Sequence, residues 1–206
     1  MRYLIKGARM NYIDLILHGS EERYLEYKGS MSWDDISTKT KVVIACLAMA
    51  NIPDGGSIVF GVDEEPKGTF CANGMREADV KSFKPDEITS YVNNFADPYV
   101  DLKVSIVLEQ EKSFVVIQIQ EFNDLPIVCK RSGENGVRCG AIYTRPRRKI
   151  ESVPVPSQNE MREILDLALD KKMRKTQEAL YKWGFRADQA NQAQSTQEFD
   201  SQLGGL

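Results

Sequence analysis

Between Pro53 and Asp63 the chain reads PDGGSIVFGVD, and no other stretch limits its possible folds as much. From Ser57 to Val62 the residues are apolar at consecutive positions, the pattern of a strand covered on both faces. Such a strand needs a layer of structure on each side. The preceding turn, IPDGG, supplies the flexible residues of a tight reversal, and Asp63 emerges where the strand ends.

The flanking segments supply those layers. Ile36 to Asn51 is rich in helix formers and apolar on nearly every side beyond Val42, so its C-terminal half should be buried; Asn51 and Pro53 end it. Tyr24 to Lys28 alternates as a strand, with Tyr24, Glu26 and Lys28 on one face and Leu25 and Tyr27 on the other. Asn11 to Leu17 predicts a short helix stopped by His18-Gly19-Ser20. Pro85, followed by Asp86 and Glu87, opens another helix, with Ile88, Tyr91, Val92 and Phe95 as its buried stripe. Leu102 to Leu108 and Phe114 to Ile119 form a hairpin, and Pro126 to Lys130 and Ala141 to Arg145 are further strands.

Ser157 and Glu160 make a capping box before a long helix with Met161, Ile164, Leu165 and Ala168 on its inner side, ending near Trp183-Gly184. Hairpins without regular βα alternation indicate an α+β domain, a mixed sheet with flanking helices. The expected organisation is one domain over residues 1–185, with its core at about 19–170 and the C-terminal helix over 158–183. A polar, Gln-rich tail over 186–206 is too poor in large apolar residues to fix its backbone.

Charge and cysteine usage narrow the function classes. With 27 Lys and Arg against 30 Asp and Glu, no global field draws the molecule to a polyanion, so nucleic-acid contact must come from a local patch. MRYLIKGARM lacks the apolar run of a signal peptide, and no stretch approaches the ~20 apolar residues of a membrane span. A cytoplasmic protein with reduced thiols and no membrane partner is expected. His18, Cys71, Cys129 and Cys139 are of zinc-ligand type but lack the short paired spacing of structural sites, so ordinary cysteines are the expectation. No GxxxxGK[ST] is present and Gly55-Gly56 precedes a strand, so no nucleotide cofactor is expected. With His18 the single histidine, no Ser-His-Asp or Cys-His arrangement is available.

Glu21, Glu26 and Asp63 could converge if their strands are neighbours. Carboxylates in a group suit Mg²⁺ or Mn²⁺ and phosphoryl transfer, and Lys28, on the face of Glu26, could stabilise charge developing on a phosphate. The plainer alternative is a solvated Glu26–Lys28 pair among ordinary surface acids. From Lys130 to Lys149 there are seven basic residues and one acid, with Tyr143 among them. Such a stretch can neutralise phosphates while an aromatic stacks on a base; it can equally be a sheet edge guarded by charge. The second basic stretch, Lys171, Lys172, Arg174 and Lys175, reads as the exposed face of the last helix.

The block E-x-x-x-L-E-Y-K over Glu21 to Lys28, then Ala50-Asn51 and Gly55-Gly56 leading into IVFGVD, resembles the Schlafen AlbA-2 family. AIYTR and SQNEMREILDLA are similar to the end of its bacterial members, so the likeness spans about Glu21 to Leu169. The resemblance implies a divalent-metal-dependent endoribonuclease acting on transfer RNA or other structured RNA, in defence or stress. Glu21, Glu26 and Asp63 would then be the metal-binding catalytic acids, holding Mg²⁺ or Mn²⁺ with Lys28 assisting. Lys130, Arg131, Arg138, Tyr143, Arg145, Arg147, Arg148 and Lys149 would form the nucleic-acid surface. Two lobes form the groove in the animal proteins and this chain holds one, so a homodimer would rebuild it. The alternatives are a non-catalytic DNA- or RNA-binding regulator, and an interaction module whose basic edge meets a protein.

Overall fold

The computed structural model describes residues 11–66 and 68–183. The first element, α1 (Tyr12–Ile16), is capped by Asn11, whose side chain accepts from the Ile13 and Asp14 amides while Asp14 reaches back to the Asn11 amide. β1 (Leu25–Lys28), α2 (Ile36–Ala50) and β2 (Gly56–Phe60) follow.

The strand expected to run to Val62 stops at Phe60. Gly61 has φ 99°, and a Cβ there would lie 2.9 Å from the Phe114 ring and 3.0 Å from the Gly74 backbone. Only glycine accommodates that turn. Beyond it the chain forms a separate hairpin of β3 (Val62–Glu65) and β4 (Thr69–Ala72), so Asp63 stands on that hairpin, opposite Cys71, and not at the exit of β2.

α3 (Glu77–Ser82), α4 (Pro85–Asn93), β5 (Ala96–Asp97), β6 (Leu102–Glu109) and β7 (Lys112–Ile119) come next. The β6–β7 hairpin turns at Gln110 and Glu111, both with positive φ. β8 (Val128–Cys129), β9 (Tyr143–Thr144), β10 (Val153–Pro154) and α5 (Gln158–Lys182) complete the described chain. The two strands expected over Pro126–Lys130 and Ala141–Arg145 shorten to β8 and β9, which pair with β5 and β10.

The central sheet has the order β1-β2-β7-β6, with β1 parallel to β2 and the other pairs antiparallel. This mixed sheet with flanking helices is the expected α+β architecture. β2 lies inside it, and Ile58, Val59 and Phe60 are fully buried. Ile58, Phe60 and Ile117 join α2 and α4 in the larger core, whereas Leu25, Tyr27 and Val59 face Leu15 and Ile16 of α1. The consecutive apolar run follows from these two coverings, each large side chain contributing about 1.5–3 kcal/mol by leaving water.

The chain divides into two units, Met1–Ala168 and Leu169–Leu206. The first holds the whole sheet and every residue of the site below; in the second the described residues continue α5. The inner side of α5 in the first unit is Ile164, Leu167 and Ala168, and Leu165, expected beside them, is exposed. Spacing i, i+3, i+4 through Ile164 puts Leu165 a ~100° step away. The Gln-rich segment 186–206 lies outside the described residues. Among those described, no helix is long and apolar enough to cross a membrane.

Candidate functional site

β1 is an edge strand, so its outward backbone groups need partners other than a neighbouring strand. Tyr24 and Lys28 turn their carbonyls to Ser57 and Gly61, which leaves Leu25 and Tyr27 facing out. Leu25 exchanges two backbone hydrogen bonds with Glu22, at 3.1 Å each, and the Tyr27 amide donates to Glu21 Oε1 at 2.9 Å. Glu21 thus closes the edge of the sheet.

Glu26 points to the opposite side from Leu25 and Tyr27, toward α2. Burial, and then the charge of Glu26, push the Cys46 thiol on α2 far above its ordinary value. The carboxylate of Glu26 carries two cations: Lys28 Nζ lies 2.6 Å from Oε1, and Arg145 Nη1 donates to Oε2. Arg145, just after β9, is 1% exposed; it also reaches Ser152 Oγ and the Glu22 carbonyl, each at 3.3 Å, while its Nε has no hydrogen-bond partner among the described residues. A charge this deeply buried is tolerable because it is paired.

Asn51 holds Arg145's segment in place. At the C-terminus of α2 and 1% exposed, its side chain donates to the carbonyls of Ile127 (2.8 Å) and Tyr143 (3.0 Å) and accepts from the Ile127 amide at 2.7 Å. Sequence reading marks Asn51 as a helix stop; its clamp on two later segments leaves no local signal.

Asp63 faces the end of β1. Its Oδ2 accepts from Asn73 Nδ2 at 2.9 Å, and its Oδ1 lies 2.4 Å from where a Cβ on Gly29 would stand. Glu21, Glu26, Lys28 and Asp63 therefore all lie along β1 or at its C-terminal end. Their donor atoms do not form a metal cradle: Glu26 has both oxygens on cations, Glu21 gives one to the Tyr27 amide, and Asp63 gives one to Asn73. Among the described residues no three His, Cys, Asp or Glu side chains are grouped so as to hold a metal ion. In this arrangement the acids do not fit Mg²⁺ or Mn²⁺, because the positive charge such an ion would bring is already supplied by Lys28 and Arg145.

The basic stretch also divides. Arg145 and Tyr143, both expected on the nucleic-acid surface, are each 1% exposed. The Tyr143 hydroxyl donates to the Gly136 carbonyl (3.0 Å) and accepts from the Arg138 amide (2.9 Å), so the ring braces the loop from inside. Burial raises the pKa of that phenol.

Arg147 is exposed but bonded to Glu163 of α5, Nη2 to Oε1 at 2.9 Å, and Lys149 lies 2.5 Å from Glu151. Arg23 grips Glu163 through two parallel bonds of 2.8 and 2.9 Å and donates from Nε to the Arg145 carbonyl. The Arg23 contact first, and then Arg147, hold the Glu163 carboxyl below its usual pKa.

Lys130, Arg131, Arg138 and Arg148 remain exposed, and none forms an ion pair among the described residues. Beside them stands an aromatic that sequence reading did not single out: Tyr99 is 80% exposed, with Lys130 Nζ 5.7 Å from its ring centre.

Among solved structures, a Corynebacterium diphtheriae protein is similar with a TM-score of 0.47 and 13% identity, over 73% of this chain and 27% of that one. This chain therefore spans about a quarter of that protein's length. The N-terminal domain of a RecG-related protein from Nitrosomonas europaea is similar with a TM-score of 0.40 and 21% identity, over 70% of this chain and 95% of that one. No curated protein sequence matches. The family model described as Schlafen, AlbA_2 matches residues 21–154, which take in the β1 acids, the Asn51 clamp and the basic loop, and the chain belongs to that family.

Proposed function

We propose that this chain is a nucleic-acid-binding module whose contact surface is the basic loop between β8 and β9. The observation that carries this reading is local: Lys130, Arg131 and Arg138 are exposed and, among the described residues, form no ion pair, in a protein of net charge −3. Phosphates would meet three cations that need not first leave an acid, and each neutralised phosphate releases counterions. Fluorescence anisotropy with short labelled RNA and DNA strands, read from about 50 to 200 mM salt, tests it. Affinity should fall steeply with salt, and a K130E/R131E/R138E variant that still folds should lose it. Retention of affinity by that variant would overturn the reading.

A second reading, a metal-dependent endoribonuclease acting on transfer RNA, draws on Glu21, Glu26, Lys28 and Asp63 lying along β1 or at its C-terminal end. It requires Glu26 to release a cation. Incubating the protein with transfer RNA and Mn²⁺, beside Glu26→Gln and Asp63→Ala, tests it. Cleavage by the parent chain alone would support the reading, and equal cleavage by all three would remove it.

A further inference from the structure

Three features surround Tyr99. Its ring is 80% exposed, which leaves it accessible to a planar partner. Lys130 Nζ stands 5.7 Å from the ring centre, and Arg131 lays its guanidinium 5.1 Å from the centre of the Phe95 ring. The β5–β8 ladder brings these parts together: Ala96 pairs with Cys129, Asp97 with Val128, and the Lys130 amide donates to the Phe95 carbonyl at 2.8 Å.

The loop that carries the cations is well seated. Gly133 lies so close to Phe95 that a Cβ would be 2.9 Å from its ring, and the Gly133 amide donates to the Val137 carbonyl at 3.0 Å. The Cys129 thiol donates to the Arg131 carbonyl and the Cys139 thiol to the Lys130 carbonyl. Inside, Tyr143 holds Gly136 and Arg138. Little ordering is left to be done when a ligand arrives.

We infer that Tyr99, Lys130, Arg131 and Arg138 form a site for single-stranded nucleic acid, in which one unstacked base lies on the Tyr99 ring and the cations hold the flanking phosphates. This rests on the nucleic-acid reading above and adds the strandedness of the ligand. A base inside a duplex has both faces covered by its neighbours and cannot stack on Tyr99; a base in a loop or single strand can. The tyrosine face is indifferent to base identity, so the site selects for exposure of a base more than for sequence.

The test is anisotropy with a labelled single-stranded RNA, the same sequence as a duplex, and the single strand with one abasic position. Tyr99→Ala should weaken single-strand binding roughly tenfold while leaving duplex binding unchanged, and Tyr99→Trp should restore it. Arg131→Ala should weaken both and flatten the salt dependence by about one phosphate contact. If Tyr99→Ala binds as the parent does while Arg131→Ala and Arg138→Ala weaken binding, the stacking site is wrong and the nucleic-acid reading stands. If the parent binds no nucleic acid, or poly-glutamate displaces the RNA as well as unlabelled RNA does, both fall and the patch belongs to an acidic protein.

Discussion

Arg145 reaches Glu26 across 119 residues of sequence, and its guanidinium is buried where it does so. The two partners are not equivalent. Without Arg145, Glu26 still has Lys28; without Glu26, Arg145 is a buried cation left with two long contacts, to Ser152 and Glu22. Glu26→Gln should therefore cost about 3–5 kcal/mol, Arg145→Met less, and Lys28→Met least. In urea denaturation, a Glu26→Gln/Arg145→Met double variant should be more stable than Glu26→Gln alone. Equal losses for Glu26→Gln and Lys28→Met would contradict this account.

Asn51 satisfies three backbone groups of two distant segments. Asn51→Ala leaves them buried and unpaired, at about 1–3 kcal/mol for each group that finds no water. Asn51→Asp keeps the acceptor for the Ile127 amide and loses both donations, so it should not rescue. Chemical denaturation midpoints for the two variants check this, and a loss below about 1 kcal/mol in Asn51→Ala would show the clamp to be dispensable.

Gly29 and Asp63 are coupled by contact, because a Cβ at residue 29 would meet Asp63 Oδ1 at 2.4 Å. Gly29→Ala should destabilise by about 1–3 kcal/mol, the usual range for overpacking. The loss should shrink in an Asp63→Ala background, where the oxygen is gone. A double-mutant cycle measures the coupling, and additive effects would mean that the carboxylate simply swings away.

Glu163 carries a pH dependence. Its folded-state pKa is depressed, so its ion pairs stabilise the protein fully above the unfolded carboxylate value of about 4.3 and are lost as pH falls through the folded value. The Glu163→Gln penalty should accordingly be constant near neutrality and fade below about pH 4. Thermal melts of the two chains at several pH values read this directly. A penalty that persists unchanged at the acid end would assign the loss to packing.

Patterns local in sequence were legible. The consecutive apolar run became β2, Pro85 opened α4, and the alternation from Tyr24 to Lys28 placed Glu26 and Lys28 together on one face. What depended on distant partners was not. Seven cations between Lys130 and Lys149 looked alike until Glu26 drew Arg145 inward and Glu163 took Arg147. Tyr143 carried a surface role on the strength of its charged neighbours, whereas the aromatic that is exposed beside Lys130 lies some thirty residues earlier, brought in by the β5–β8 pairing. The break at Gly61, set by Phe114 and Gly74, moved Asp63 onto its own hairpin for the same reason.

Glu21's bond to the Tyr27 amide bears on how copies of this protein can meet. Two molecules cannot fuse their sheets side by side through β1, since Leu25 has both outward groups on Glu22 and Tyr27 has its amide on Glu21. Strand-to-strand docking at this border would first have to expel a carboxylate, which works against open-ended fibre growth as well as against a continuous intermolecular sheet. A two-lobed groove, if the chain builds one, has to be assembled from some other face.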